Sequence, residues 1–236
     1  MSGWAQKRFW TQAGIAEVDG GFAVELDGRR VKTPAKAPLT VPTRAMAEAI
    51  AAEWQAQGEK IDPTTMPVTR SANAAIDKVA HQHGEVADML AEYGGSDLLC
   101  YRATGPVELV ARQAEQWDPM LDWAEDALGA RLKTVSGVMH EAQEIETLSH
   151  LSAQVHALNN FELAAFHDLV SLSGSLILGF AAVHAARPIE GLWTLSRLDE
   201  TWQEEQWGAD DEAAAQAEVK HQAFLHADRF FLLAQK

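Results

Sequence analysis

The sequence predicts an α+β fold: a small N-terminal β-rich module followed by a larger, mostly α-helical domain. Three observations carry this reading. Short alternating apolar and polar runs broken by Gly and Pro fill the chain up to Pro42, a helical apolar period then continues to the C-terminus, and Gly or Pro falls between most of the periodic stretches. With 236 residues, 47% of them hydrophobic, the chain is long enough to bury a core.

The β module begins at Ile15-Ala16-Glu17-Val18, turns at Asp19-Gly20-Gly21, and returns along Phe22-Ala23-Val24-Glu25-Leu26. Asp27-Gly28 is a second hairpin signal, because a two-residue turn of this kind needs positive φ at both central positions. Residues 29–33 and 39–41 read as further short strands, punctuated by Pro34, Pro38 and Pro42. Thr43 is a good N-cap for a helix over 44–57, in which Met46, Ala49, Ile50, Glu53 and Trp54 lie on neighbouring turns, and Gly58 stops it. Further helices are expected over 67–81, 85–93, 106–128, 144–166, 168–186, 188–207 and 211–234. The expected organisation is therefore a β-rich module over 1–45 and a helical domain over 46–236, with the boundary inside 42–67.

Charge excludes several classes of partner. There are 34 acidic against 19 basic residues, a net charge of -15, which repels phosphate backbones and anionic membrane surfaces, so no nucleic-acid partner is expected. Residues 169–186 are uncharged, but Ser171, Ser173, Gly174, Ser175 and His184 interrupt them; they read as a buried core helix, with no membrane insertion. A single cysteine cannot close an intramolecular disulfide, and residues 1–8 lack the apolar core of a signal peptide. A reducing, bacterial cytoplasm is the expected compartment.

Chemistry-bearing motifs are sparse. The histidines fall at spacings of two (His81, His83), six (His150, His156) and five (His221, His226), none of which sets two ligands on one helical face. Cys100 lies among apolar residues and reads as buried. No nucleophile elbow, phosphate-binding loop or dinucleotide fingerprint occurs. No catalytic residue, metal or cofactor is therefore assigned.

The most informative stretch is Ser196 to Gly208. Leu195, Leu198 and Trp202 recur at spacings of three and four as a buried stripe, while Asp199, Glu200, Glu204 and Glu205 occupy the remaining surface. Between Asp199 and Glu218 there are eight carboxylates and no Lys or Arg, so the sequence offers the acids no local partner. A solvated face on an acidic protein has the same composition. The large rings of Trp202 and Trp207 in that company point instead to a protein-binding surface. The expected partner-binding residues are Asp199, Glu200, Glu204, Glu205 and Trp207.

Several segments carry a resemblance: Leu26-Asp27-Gly28-Arg29-Arg30-Val31-Lys32-Thr33-Pro34, Glu53-Trp54, Leu98-Leu99-Cys100-Tyr101-Arg102, Gln116-Trp117-Asp118-Pro119 with Trp123-Ala124-Glu125, and Ser196-Arg197-Leu198-Asp199-Glu200 through Gln206-Trp207-Gly208. Together, and in order over almost the whole chain, they resemble the ATP12 family, assembly chaperones of the F1 part of the proton-translocating ATP synthase. The resemblance implies a non-enzymatic chaperone that holds the free F1 α subunit and shields the surface that later meets a β subunit; the free chain is expected to be a monomer. It also implies a small β-rich module joined to a larger helical domain, and a mitochondrial-matrix location for organellar relatives. In the family an acidic residue just after an Arg-Leu pair matters for function; Asp199 matches it, with Glu200 beside it, and the assignment between the two stays open. Trp54 matches a recurrent family tryptophan and is expected to be structural. Two other readings compete: a carboxylate-using hydrolase of unknown substrate, and a helical adaptor for another protein.

Overall fold

The computed structural model describes residues 7–137 and 139–235. Residues 1–6, on which the signal-peptide expectation partly rests, lie outside the described residues. Two compact units divide the chain. One comprises the residues up to His83 with Asn159–Ala165 and the segment from Arg229, and the other comprises Gly84–Leu158 and Phe166–Asp228.

The first unit is built on strands β1 (Ala13–Val18), β2 (Gly21–Leu26), β3 (Arg29–Arg30) and β4 (Thr40–Val41). Strand β2 is central: it pairs antiparallel with β1 along its full length, from Ala13↔Leu26 to Val18↔Gly21. Its other edge is shared, by β3 at Leu26↔Arg29 and by β4 at Phe22↔Val41. The Asp27-Gly28 turn forms as expected, with φ of 48° and 78° at its two central residues. Each Asp27 carboxylate oxygen accepts a backbone N–H, from Gln12 and from Thr11, both at 2.9 Å, and these bonds hold its carboxyl below the usual carboxylate range.

Helix α1 (Arg44–Gln55) buries Met46, Ala47, Ile50 and Ala51, and Thr43 caps it by accepting the Met46 N–H. Helix α2 (Pro67–Asp77) has no cap of its own; Glu53 of α1 supplies one, accepting the N–H groups of Val68 at 2.7 Å and Thr69 at 2.8 Å. Trp54, beside Glu53, packs edge-on against buried Trp10 with ring centroids 5.2 Å apart.

The second unit is helical. It contains most of α3 (His83–Ala91), the strand β5 (Tyr101–Arg102), the 22-residue α4 (Val107–Leu128), the strand β6 (Val135–Ser136) and α5 (Ile145–His156). Most of α6 (Asn160–Ser173), then α7 (Leu176–Val183), α8 (Ile189–Ser196), α9 (Leu198–Trp207) and most of α10 (Asp211–Ala234) complete it. The core gathers Trp117, Met120 and Leu121 of α4, Phe166 and Val170 of α6, and the whole of α7 from Leu176 to Ala182. The expected core helix over 169–186 is thus buried, but it is two helices. Gly174, at φ 73°, ends α6, and Ser175 caps α7 by accepting the Leu178 N–H at 3.0 Å. Among the described residues no helix is long and apolar enough to cross a membrane.

Two other long helices expected from the period are also divided. The 144–166 pattern breaks after His156, where Asn159 caps α6 through Phe161 and Glu162 while the Glu162 carboxylate accepts the Asn159 N–H. This is a capping box, Asn-x-x-Glu, legible in the sequence and overridden there by the continuing apolar period. The pair β5–β6, parallel at Tyr101↔Val135 and Arg102↔Ser136, is two residues long and too short to display a period of its own.

Asp97 is sealed in this unit. It accepts the Leu99 N–H at 3.0 Å and, eighty positions away, the Ile177 N–H at 3.1 Å in the first turn of α7. Burial is the largest influence on its carboxyl and raises it to about 6 against the hydrogen bonds that lower it. Because the folded chain holds this proton more tightly than the unfolded chain, the favourable contribution is complete below the ordinary value and is lost as pH rises through about 6. A rise from 3.8 to about 6 corresponds to about 3 kcal/mol. Urea unfolding of the wild type and Asp97→Asn across pH 4 to 7 is therefore expected to give a stability gap in favour of wild type that is widest near pH 4 and narrows by up to about 3 kcal/mol near pH 7.

Candidate partner-binding face

Helix α4 determines where α8 and α9 lie. The indole N–H of buried Trp117 donates to the Leu195 carbonyl at 3.0 Å. In an unbroken helix that carbonyl would accept the Asp199 N–H. Ser196 also turns back, its hydroxyl donating to the Trp193 carbonyl at 2.7 Å, and Arg197 leaves helical geometry at φ -108°, ψ 14°. The helix expected over 188–207 is consequently two, and the expected stripe of Leu195, Leu198 and Trp202 straddles the break. Leu195 and Leu198 are buried, whereas Trp202 is only half-buried.

The acids are not left without partners. The Asp199 carboxylate, half-buried, accepts from Gln113 Nε2 of α4 at 2.7 Å. Arg112, the preceding residue of α4, places one guanidinium nitrogen 2.9 Å from each carboxylate oxygen of Glu205 and lies 4.8 Å from the centroid of the Trp202 ring. Arg197 reaches Glu200 at 2.8 Å and Glu204 at 3.8 Å. The sequence hid these partners because both arginines lie before Asp199, one of them on a different helix.

Helix α9 thus has two sides. Asp199, Trp202 and Glu205, three residues apart in succession, meet α4. Glu200, Glu204 and Trp207, separated by four and three, form an opposite stripe of exposed residues, with Trp207 79% exposed. Beyond Gly208, Asp210, Asp211 and Glu212 extend the negative surface, and the opening turns of α10 are exposed. Two arginines thus stand against seven acids. Exposed ion pairs contribute roughly 0–1 kcal/mol each, so such carboxylates exchange partners readily.

Neighbouring positions of α4 serve the same framework. Arg102 of β5 pairs with Asp118 at 2.8 Å and lies over the Trp117 ring. Cys100 is buried, and burial pushes its thiol up to about 12, which disfavours the thiolate. A cavity of about 480 Å³ is lined by Asp118, Arg131, Leu132, Lys133, Thr134 and Glu141, with no histidine among its described lining residues. Three of its four charged lining residues are engaged: Arg131 with Asp122 and Glu125, Lys133 with Glu144, and Asp118 with Arg102. Among the described residues, no group of three or more His, Cys, Asp or Glu is placed to hold a metal ion.

The family model described as ATP12 chaperone protein matches residues 7–125. The chain belongs to the ATP12 chaperone family. That match ends before α9, but similarity to solved structures continues across it. The crystal structure of Atp12 from Paracoccus denitrificans is 50% identical, covers 98% of this chain and 100% of that one, and superimposes with a TM-score of 0.96. An aspartate-to-lysine mutant of the same Paracoccus protein is also 50% identical, covering 99% of this chain and 100% of that one with a TM-score of 0.97. A candidate chaperone from Agrobacterium tumefaciens is 42% identical over 97% of this chain and 86% of its own, with a TM-score of 0.92. The mitochondrial Atp12 protein of Schizosaccharomyces pombe is 27% identical over 219 residues, 88% of this chain and 75% of that protein. The α+β architecture read from the sequence is that of the ATP12 structures.

Gln113 is the residue of this face that a reading of the sequence misses. It lies in the apolar stripe of α4, four residues before Trp117 and eleven before Ala124, and is 1% exposed. A polar side chain at a core position of a helix was the available signal. Removing Arg112 is expected to act locally: Arg112→Ala lowers global stability by less than about 1 kcal/mol while amide exchange in the last turns of α9 quickens, measured by urea unfolding and hydrogen exchange on one sample.

Proposed function

We propose that this ATP12-family chaperone binds the free F1 α subunit during ATP synthase assembly and shields its β-contacting surface until a β subunit arrives. The observation that carries the reading is the solvent stripe of α9, where Glu200 and Glu204 lead, on the same side of the helix, to a tryptophan left 79% exposed. A ring of that size is costly to leave in water and is a common anchor of protein interfaces. Glu205, at the edge of the stripe, adds its carboxylate when Arg112 releases it.

Holding requires no bond-making step. An unassembled subunit interface is apolar enough to aggregate, and a partner that covers it lowers the free concentration of the sticky species by mass action. Acids around the anchor speed encounter with a basic-rimmed client and select against acidic surfaces, while adding less to tightness. A β subunit burying more apolar area then displaces the chaperone. The reading places this work in the bacterial cytoplasm, or in the mitochondrial matrix for organellar relatives, with a free chaperone that is monomeric.

The test is aggregation of purified F1 α subunit followed by light scattering. Wild-type protein is expected to suppress it. Trp207→Ser is expected to weaken capture about thirtyfold, the loss of a typical interface anchor, with the melting temperature unchanged because the ring is exposed. Full suppression by a Trp207→Ser, Glu204→Lys double variant would remove α9 from the contact.

A further inference from the structure

We infer that Asp199 is a positioning residue: with Gln113 it pins the first turn of α9 to α4, and it meets no client itself. The inference rests on the proposal that the solvent stripe of α9 is the docking face, and it identifies what holds that stripe in place.

The argument starts from the donor and acceptor inventory of one amide. Gln113 is buried, and its Oε1 accepts the Ala103 N–H at 2.8 Å, just after β5. A backbone N–H can only donate, so the amide oxygen must face Ala103 and the NH₂ must face the opposite way. There it donates to Asp199 Oδ1 at 2.7 Å. The orientation of the amide is therefore set by chemistry, and a flipped amide would set donor against donor at Ala103. Gln113 joins three segments: α4, the residue after β5 ten positions before it, and the start of α9 eighty-six positions beyond it.

What Asp199 contributes to this joint is an acceptor. Its half-buried side chain is turned to α4 with Trp202 and Glu205, on the side away from Glu200, Glu204 and Trp207. The joint also differs in kind from the other grip on α9. The Arg112–Glu205 pair is exposed and screened by salt, whereas Gln113 is sealed, and a buried donor that loses its acceptor has no water to replace it. Loss of the Asp199 acceptor frees the first turn of α9, and the stripe that carries Trp207 turns with it.

Two properties of Asp199, its charge and its acceptor, separate by substitution. Asp199→Asn removes the charge and retains Oδ1; Asp199→Ala removes both; Asp199→Lys reverses the charge and sets a donor against Gln113 Nε2. Gln113→Glu places two carboxylates in contact. Combined with Asp199→Asn it rebuilds the bond in reverse: the new carboxylate on α4 still accepts from Ala103 and now also accepts from the amide introduced on α9. Capture of F1 α subunit and amide exchange over α9 are measured for each, with thermal unfolding alongside. Asp199→Ala, Asp199→Lys and Gln113→Glu are expected to lose capture about tenfold and to exchange α9 amides about tenfold faster, while Asp199→Asn and the reversed pair recover to within about threefold of wild type in both.

Asp199→Asn losing capture as fully as Asp199→Lys, with α9 amides still protected, would show that the charge touches the client and would overturn the inference. Asp199→Ala matching wild type in exchange would overturn it as well. Should Gln113→Glu fail to fold, the comparison of Asp199→Asn with Asp199→Ala decides alone. Wild-type protein that captures no α subunit defeats the docking proposal, and amide exchange, which involves no client, still decides the clamp.

Discussion

The fold depends on one constraint: a backbone N–H taken out of water must find an acceptor, and here side chains remote in sequence supply many of them. Asp97 is the sharpest case, a carboxylate without contact to water that joins the Leu98–Cys100 turn to the start of α7. Its raised proton affinity reflects the same constraint, since the site is dry enough to oppose the charge and rich enough in donors to keep it. Glu53 caps α2 from α1, and Asp27 ties the Thr11 and Gln12 amides to a turn. Each side chain converts an open backbone end into a joint between segments.

Helix α4 applies the constraint with neutral donors and acceptors. Trp117 takes the Leu195 carbonyl and Gln113 takes the Ala103 amide and the Asp199 carboxylate, so α8, α9 and the residue after β5 are all referred to one helix. What remains facing solvent on α9 is a tryptophan preceded by two exposed glutamates that share one half-buried arginine partner, Arg197. Rigid attachment on one side and loosely paired charge on the other suit a surface that must dock and let go.

The segments that resemble the ATP12 family serve this framework more than the solvent face. Asp27, Glu53 and Trp54 hold the first unit together; Arg102, Trp117 and Asp118 form one cluster in the second, with the Trp117 ring under the Arg102 guanidinium and Asp118 paired to it. Recurrent acids in a chaperone are easily read as contacts for a client. Most of these are spent on backbone amides and arginines inside the molecule.

Much of the fold was legible. The Asp27-Gly28 turn, the Thr43 cap, the buried helix around Leu178 and the bounds of α10 all follow from local chemistry: positive φ, a hydroxyl at a helix start, and an apolar period of 3.6 residues. Helix breaks at Arg197 and before Asn160 were not legible in the period, because apolar spacing runs through both, and only the Trp117 indole at Leu195 and the Asn159 cap interrupt the backbone. The same holds for the candidate face. The sequence by itself determined that acids and tryptophans share the stretch after Ser196, and that no base lies among them. Only the tertiary structure decided how they face water, because Arg112 and Gln113, more than eighty positions earlier, reach α9 once the chain is folded: Gln113 turns Asp199 toward α4 and Arg112 pairs with Glu205 at the surface, while Glu200, Glu204 and Trp207 stay on the exposed side.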